Sequence, residues 1–220
     1  MKERGMIFNA EMVNAILSGR KTQTRRPIKW KQTRFTEIAE RDDGSLWPWA
    51  EDCERGGDIW FACPYGEIGD RIWVRETFRV HSRATDVATL VYRASVRNSW
   101  TEQTHRVPVA VCNKPATPEK WTPSIHMPRW ASRILLEITD VRVERLHSIS
   151  ERDALREGLF QLPASGRYCL QPGMQYFGMA SHSAKEVYSW LWASVYGEES
   201  WAANPWVWVI EFKRVEGGAA

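Results

Sequence analysis

The sequence has no apolar run long enough to cross a bilayer. Its longer apolar stretches, such as Pro205–Ile210, fall far short of the roughly 18 residues that a membrane helix needs. The N-terminus carries Lys2, Glu3 and Arg4 ahead of an amphipathic segment, so it lacks the apolar core of a secretion signal. With 43% hydrophobic and 26% charged residues, the composition is that of a globular domain. We therefore expect a cytoplasmic protein with no membrane partner.

Cysteine is scarce, and its spacing does not suggest a metal site. The chain has four cysteines, Cys53, Cys63, Cys112 and Cys169, and none of them forms a CxxC pair. In a cytoplasmic protein we expect them to be reduced. A zinc site on Cys53 and Cys63 is the weaker alternative, because the nine residues between them are not a recognised ligand spacing. We predict no metal site and no cofactor.

Acidic residues are missing from Gly19–Arg34, which we call the basic segment, although the net charge of the whole chain is only +3. The segment holds seven cations: Arg20, Lys21, Arg25, Arg26, Lys29, Lys31 and Arg34. The chain also has thirteen tryptophans. Cations that meet phosphates, beside aromatic rings that stack on bases, favour a nucleic-acid partner. The alternative is that most of the tryptophans fill the core.

Short strands alternate with three helices along the chain. Capping patterns predict helices that begin after Asn9, Ser150 and Ser183. Apolar alternation predicts strands at Met6–Phe8, Arg71–Val80, Thr89–Ala94, Ile134–Leu146 and Trp206–Phe212. The basic segment follows the first helix directly, so we expect it to form a loop. This order differs from the βαβ rhythm of a parallel sheet and favours an α+β fold, a small, partly closed β-barrel with helices packed around it.

Four segments carry a more specific pattern. They are the Gly-Arg-Lys-Thr-x-Thr-x-Arg run Gly19–Arg26, the turn and strand Gly69–Glu76, the short helix Ser150–Leu159 and the closing strand Trp208–Arg214. Together they resemble the ASCH domain family, small barrels related to PUA RNA-binding domains. The resemblance implies a single PUA-like mixed β-barrel with flanking helices and long inserted loops over residues 1–215, followed by a disordered tail at 216–220.

The chain is longer than a minimal ASCH domain. Relative to that domain, the residues at about 30–65 and 81–129 look like insertions, and the second of them is rich in proline. A long proline-rich loop inside a compact domain is often functional. Long versions of this kind, with a segment like Ser124–Arg133, resemble the ASCH proteins of phages and prophages.

The resemblance also implies a catalytic site. Some small bacterial ASCH proteins are amidohydrolases that remove the acetyl group of N4-acetylcytidine, and their catalytic lysine, threonine and glutamate align with Lys21, Thr24 and Glu157. Thr24 would attack the amide carbonyl, Lys21 would take the hydroxyl proton, and Glu157 would protonate the leaving amine. For this chemistry the pKa of Lys21 must fall, which repulsion from nearby arginines and burial would both favour, and that of Glu157 must rise in a dry pocket.

Two other functions fit the same residues. The first is a non-catalytic RNA-binding module, in which the cations Arg20, Arg25 and Arg26 contact phosphates and the barrel holds a base. The second is a ribonuclease, an activity that has been ascribed to members of the ASCH family, with Lys21 stabilising phosphate charge. We expect the partner to be RNA or a modified nucleoside, and protein partners are not indicated.

Five further residues are weaker candidates for substrate or nucleic-acid binding. Arg75 and Glu76 are adjacent on a predicted strand, so they point to opposite faces, and a plain structural ion pair is an equal alternative. His126, Arg129 and Trp130 lie where the proline-rich loop enters the next strand. Arg129 could hold a phosphate and Trp130 could stack on a base. The alternative is that Trp130 packs into the core and Arg129 is solvated.

Overall fold

A computed structural model describes residues 1–30, 37–52, 54, 56–95 and 104–215. The predictions for Lys31, Arg34, Cys53 and the tail at 216–220 lie outside the described residues. The described helices are α1 (Ala10–Leu17), α2 (Glu151–Arg156), α3 (Ala184–Tyr196) and α4 (Glu198–Ala202). The described strands are β1 (Glu3–Ile7), β2 (Gln23–Pro27), β3 (Glu37–Glu40), β4 (Leu46–Glu51), β5 (Asp58–Trp60), β6 (Arg71–Arg75), β7 (Phe78–Arg83), β8 (Val87–Tyr92), β9 (Thr104–Pro108), β10 (Leu135–Arg145), β11 (Phe160–Gln161), β12 (Tyr168–Cys169) and β13 (Trp206–Arg214).

The mixed α+β class is confirmed, but the described strands do not close into the predicted barrel. They form four separate sheets, and in each of these described sheets the first and last strands do not pair with each other. Two of these sheets, β3-β4-β5 and β7-β8-β9, are built from strands that are consecutive in the chain and pair with one another. Most of their residues come from the two stretches predicted as inserted loops, so those stretches contain regular secondary structure.

The chain divides into two compact units that interleave in sequence. The first comprises Met1–Gly19, Asp70–Glu137 and the chain from Lys213 onward, and the second comprises Arg20–Gly69 and Ile138–Phe212. The prediction of a single domain over residues 1–215 stays a prediction.

The first unit is built on β1, β6 and the start of β10, together with the sheet β7-β8-β9. Strand β1 pairs in parallel with β6, which pairs antiparallel with Leu135–Glu137 of β10. Inward-facing residues of β7 and β8, including Phe78, Leu90 and Tyr92, form a core cluster with Met127. Alternating burial along β6 and β7 fits strands with one face on this core.

The second unit holds the rest of β10, followed in sheet order by β13 and β2. Residues Val207–Ile210 of β13 are buried on both faces of the strand, as expected for a central strand of a covered sheet. Helix α3 buries Val187, Tyr188, Leu191 and Trp192, and it contacts α2. No helix in the described ranges is long and apolar enough to span a membrane.

The three predicted helix starts are confirmed. The Asn9 side chain accepts a hydrogen bond from the N–H of Met12 at 2.8 Å, and Ser150 and Ser183 cap α2 and α3 in the same way. Helix α1 is followed by Gly19, whose φ of +75° is a left-handed conformation that glycine adopts without strain. These starts were predictable because each cap is a hydrogen bond between residues three apart.

Candidate functional site

The basic segment lies partly in a sheet, and the prediction of a loop is wrong for Gln23–Pro27. These residues form β2, which pairs antiparallel with β13. Just before the strand, the N–H of Thr22 donates to the Arg156 carbonyl at 2.9 Å, and the Thr22 carbonyl accepts from the Phe212 N–H at 2.8 Å. A loop was predicted because the segment directly follows α1, and the strand partner that overturns this prediction, β13, lies far away in the sequence. These backbone bonds hold Lys21 beside the end of α2.

Helix α2 positions Glu157. The Ser150 hydroxyl accepts a hydrogen bond from the Asp153 N–H at 3.1 Å and so caps the helix at its start. Glu157 is the C-cap residue, and its own N–H donates to the Asp153 carbonyl at 2.8 Å. The next residue, Gly158, has a φ of +107°, a conformation that ends the helix and turns the chain away. The Glu157 carboxylate is thereby fixed at the negative end of a helix dipole, where a cation is favoured.

Lys21 and Glu157 form a buried ion pair. The Lys21 Nζ lies 2.7 Å from Glu157 Oε2 and donates a second hydrogen bond to the Glu157 backbone carbonyl at 2.9 Å. The side chains are 0% and 2% exposed, so water does not screen the pair. Burial lowers the pKa of Lys21 more than the Glu157 carboxylate raises it, and repulsion from Arg26 and Arg25 lowers it further. This is the direction that the predicted chemistry requires, and burial is its main cause.

Arg25 links this pair to two further carboxylates. Its Nη1 lies 3.4 Å from Glu157 Oε1, and its Nη2 lies 3.0 Å from Glu144 Oε2 and 3.4 Å from Asp153 Oδ2. Burial alone would lower the pKa of Arg25, but the surrounding carboxylates, Glu157 foremost, raise it above its ordinary value. The charged form of Arg25 is therefore favoured, whereas burial disfavours the charged form of Lys21.

A second arginine, Arg142, shares two of these carboxylates with Arg25 and pairs with two more. Arg142 forms ion pairs with Asp140 and Glu211 through Nη1, with Glu144 through Nε, and with Asp153 through Nη2, at 2.6 to 3.6 Å. Burial alone would lower the pKa of Arg142, but these carboxylates raise it well above its ordinary value. This network was not predicted from the sequence. Its signal was present on β10, where Asp140, Arg142 and Glu144 occupy alternate positions and hence one face of the strand.

The cations of the basic segment mostly turn inward. Arg20 donates to the Gly158 carbonyl at 2.8 Å, and Arg26 donates to the Tyr196 hydroxyl at 3.2 Å. Lys21 and Arg25 are buried in the ion pairs given above. Of the cations of this segment that the structure describes, Lys29 alone is exposed. This arrangement does not favour the predicted contact of Lys21 and Arg25 with a phosphate backbone, because both already pair with carboxylates of the same chain.

Thr24 is adjacent to Arg25 in the sequence, but its side chain lies on the other face of β2. It is paired with Ile210 of β13 and is 2% exposed. Because successive side chains of a strand alternate, Thr24 points to the face opposite Arg25. No hydrogen bond within the described ranges joins the Thr24 hydroxyl to Lys21 or Glu157. The structure thus brings together two of the three predicted catalytic residues.

Arg75 and Glu76 belong to the first unit, and both have partners there. Glu76 is 2% exposed and pairs with Arg133 through two hydrogen bonds of 2.8 and 3.0 Å. Burial raises the pKa of Glu76, and Arg133 opposes this shift. The Arg75 Nε donates to the Ser124 carbonyl at 3.2 Å, and its guanidinium lies over the Trp73 ring. The ion-pair alternative thus fits Glu76, whose partner is Arg133, whereas Arg75 contacts a backbone carbonyl and an aromatic ring.

His126, Arg129 and Trp130 also lie in the first unit. Arg129 pairs with Glu3 at 2.8 Å, in a bridge that is about two-fifths exposed on each side. Trp130 meets Phe78 edge to face, with ring centroids 6.4 Å apart, and packs against the core cluster. His126 is exposed. Trp130 thus packs in the core, as in the alternative considered for it, and these three residues belong to a different unit from the Lys21–Glu157 pair.

Loss of the Ser150 cap should weaken the support of Glu157. We expect Ser150→Ala to lower the free energy of unfolding by about 1 kcal/mol, because the Asp153 N–H loses its partner. Urea unfolding followed by circular dichroism measures this change. Ser150→Thr keeps a hydroxyl that can accept from the Asp153 N–H and donate to the Asp153 carboxylate, and it should recover most of the loss. A Ser150→Ala protein as stable as the wild type would show that the cap does not hold α2.

The described residues show no group of three or more His, Cys, Asp or Glu side chains placed to hold a metal ion. No family model, curated protein or solved structure matches the chain. The resemblance to the ASCH family therefore stays a prediction that depends on the motif residues. Function has to be argued from the geometry of the Lys21–Glu157 pair.

Proposed function

We propose that this protein is an amidohydrolase that removes the acyl group from an N4-acylated cytosine nucleoside, with Lys21 and Glu157 carrying the proton transfers. The observation that supports it is the direct contact of a fully buried lysine amine with a buried carboxylate at 2.7 Å. The motif resemblance supplies the substrate class, and the relation to PUA-like barrels is part of the same proposal.

The pair suits acid–base chemistry because one proton can occupy either partner. In water the ammonium–carboxylate form prevails, whereas burial penalises both charges. Moving the shared proton across the hydrogen bond yields an amine and a carboxylic acid. In that form Lys21 can accept a proton from a nucleophile and Glu157 can donate one to a leaving group, which are the two transfers that amide hydrolysis needs.

The reaction then proceeds in two stages. The Thr24 oxygen attacks the acyl carbonyl while Lys21 accepts the hydroxyl proton, and Glu157 protonates the exocyclic nitrogen as the C–N bond breaks. Cytidine leaves, and the acyl group remains on Thr24 as an ester. A water molecule gives one proton to the Glu157 carboxylate and attacks this ester. The carboxylic acid departs as the Lys21 proton returns to the Thr24 oxygen.

Thr24 is the part of this scheme that most needs a test, because it faces away from Arg25. Thr24→Val keeps the shape of the side chain and removes the hydroxyl. If the hydroxyl is the nucleophile, the variant loses turnover. If Lys21 activates a water molecule directly, Thr24→Val retains most of the wild-type rate.

The decisive experiment incubates the protein with N4-acetylcytidine and other N4-acylated cytidines and follows the release of the carboxylic acid by mass spectrometry. We expect the wild type to release acid and Glu157→Gln to release none. Asp70→Asn is the matched control, because Asp70 is a buried, ion-paired carboxylate of the first unit and should be dispensable. Absence of turnover with every substrate, together with RNA binding that weakens as salt increases, would overturn the proposal in favour of a binding module.

A further inference from the structure

The second unit contains a pocket that is separate from the Lys21–Glu157 pair. Its volume is about 410 Å³, which is within the range of small-molecule sites. The described residues that line it include Pro27 and Lys29 at the end of β2, but not Lys21, Thr24 or Glu157. Lys21 and Pro27 are roughly 20 Å apart along an extended chain, so the pocket lies toward the far end of β2.

Aromatic rings form much of the wall of the pocket. Trp30, Phe61, Tyr65 and Trp208 contribute to its lining. Trp208 is held in place because the Trp47 ring packs against it edge to face, with centroids 5.2 Å apart. Flat rings held in fixed orientations are the surfaces on which planar heterocycles stack.

The polar groups of the pocket favour an anion. Lys29 is the charged member of its described lining, which includes no acidic residue. Lys29 is exposed, and no carboxylate of the described chain forms an ion pair with it. The Tyr65 hydroxyl is protonated at neutral pH, and burial raises its pKa further, so it can donate a hydrogen bond. A ligand for this pocket therefore combines a planar ring with a negative group.

We propose that this pocket binds a nucleoside monophosphate, with its base stacked among Trp208, Tyr65 and Phe61 and its phosphate at Lys29. This assigns a role to part of the insertion at about 30–65, which supplies Phe61 and Tyr65. The proposal does not depend on the amidohydrolase function, because none of the residues that carry it belongs to the proton-transfer pair.

Isothermal titration calorimetry with adenosine and uridine 5′-monophosphates tests it, with the parent nucleosides and inorganic phosphate as comparison ligands. We expect each monophosphate to bind more tightly than its nucleoside or phosphate alone. Lys29→Met should weaken monophosphate binding about tenfold and leave nucleoside binding unchanged, as expected for the loss of one charge-assisted contact.

A second variant blocks the pocket without removing a charge. Ala62 is exposed and lines the pocket, so Ala62→Trp should fill it and abolish binding of both ligands, whereas Ala62→Ser should bind as the wild type does. The proposal is overturned if the wild type binds no monophosphate at millimolar concentration, if inorganic phosphate binds equally well, or if Ala62→Trp or Lys29→Met binds the monophosphate at full strength.

Discussion

Glu157→Ala should lower the free energy of unfolding by about 3–5 kcal/mol, because it leaves a buried ammonium without its carboxylate. The Lys21 side chain is 0% exposed and would retain only the backbone carbonyl of residue 157 as a partner. Arg25 loses one contact but keeps Glu144 and Asp153. The charge left without a carboxylate is therefore that of Lys21. Chemical denaturation of the purified variant measures the resulting loss in the free energy of unfolding.

A double variant identifies the origin of this loss. In Lys21→Met/Glu157→Ala both charges are absent, so the double variant should be more stable than the sum of the two single losses predicts. Glu137→Ala serves as the control, because Glu137 pairs with Lys213, which is 63% exposed, and should lose little stability. A Glu157→Ala variant as stable as this control would mean that the Lys21–Glu157 pair is solvated.

The second large effect concerns turnover. Lys21→Arg keeps the positive charge at this position but cannot release a proton at accessible pH, because an arginine in a protein stays ionised. We expect it to lower kcat for N4-acetylcytidine by about 10²- to 10⁴-fold, the contribution of a positioned general base. Quantified acetate release under saturating substrate measures the change.

The same variant separates the proposed function from its alternatives. A lysine that binds or stabilises phosphate is replaced by arginine with its charge intact, so an RNA-binding module or a ribonuclease would retain much of its function in Lys21→Arg. Circular dichroism and the unfolding midpoint establish that the variant is folded. Full acetate release by a folded Lys21→Arg protein would exclude Lys21 as the base.

The helix starts could be predicted because they depend on neighbouring residues. Each of Asn9, Ser150 and Ser183 accepts from a backbone N–H three residues later, which a sequence displays directly. Strand pairing depends on contacts between distant segments. The sequence therefore indicated strands and the α+β class but not the open sheets in which the strands are found.

The basic segment shows why the candidate site was only partly predictable. It was predicted as a loop because it directly follows α1. The carboxylates that pair with Lys21 and Arg25 lie 119 to 136 residues away in the sequence. The pairing of Lys21 with Glu157 was expected from the resemblance to a family and not from the residues themselves. The ion pairs of Asp153, Arg142 and Glu211 were not predicted, because they join segments that are distant in the sequence and form only in the folded chain.

Nitrogen-detected nuclear magnetic resonance can follow the titration of the Lys21 amine, whose signal is assigned from its absence in Lys21→Met. The titration shows whether burial or the Glu157 carboxylate has the larger effect on the pKa of Lys21. We predict a pKa below the ordinary lysine value of 10.5 in the wild type, because burial outweighs the attraction of Glu157. In Glu157→Gln the pKa should fall further, since the group that raises it is gone. A Lys21 amine that titrates at or above 10.5 would show that it cannot serve as the base, and the amidohydrolase proposal would then be wrong.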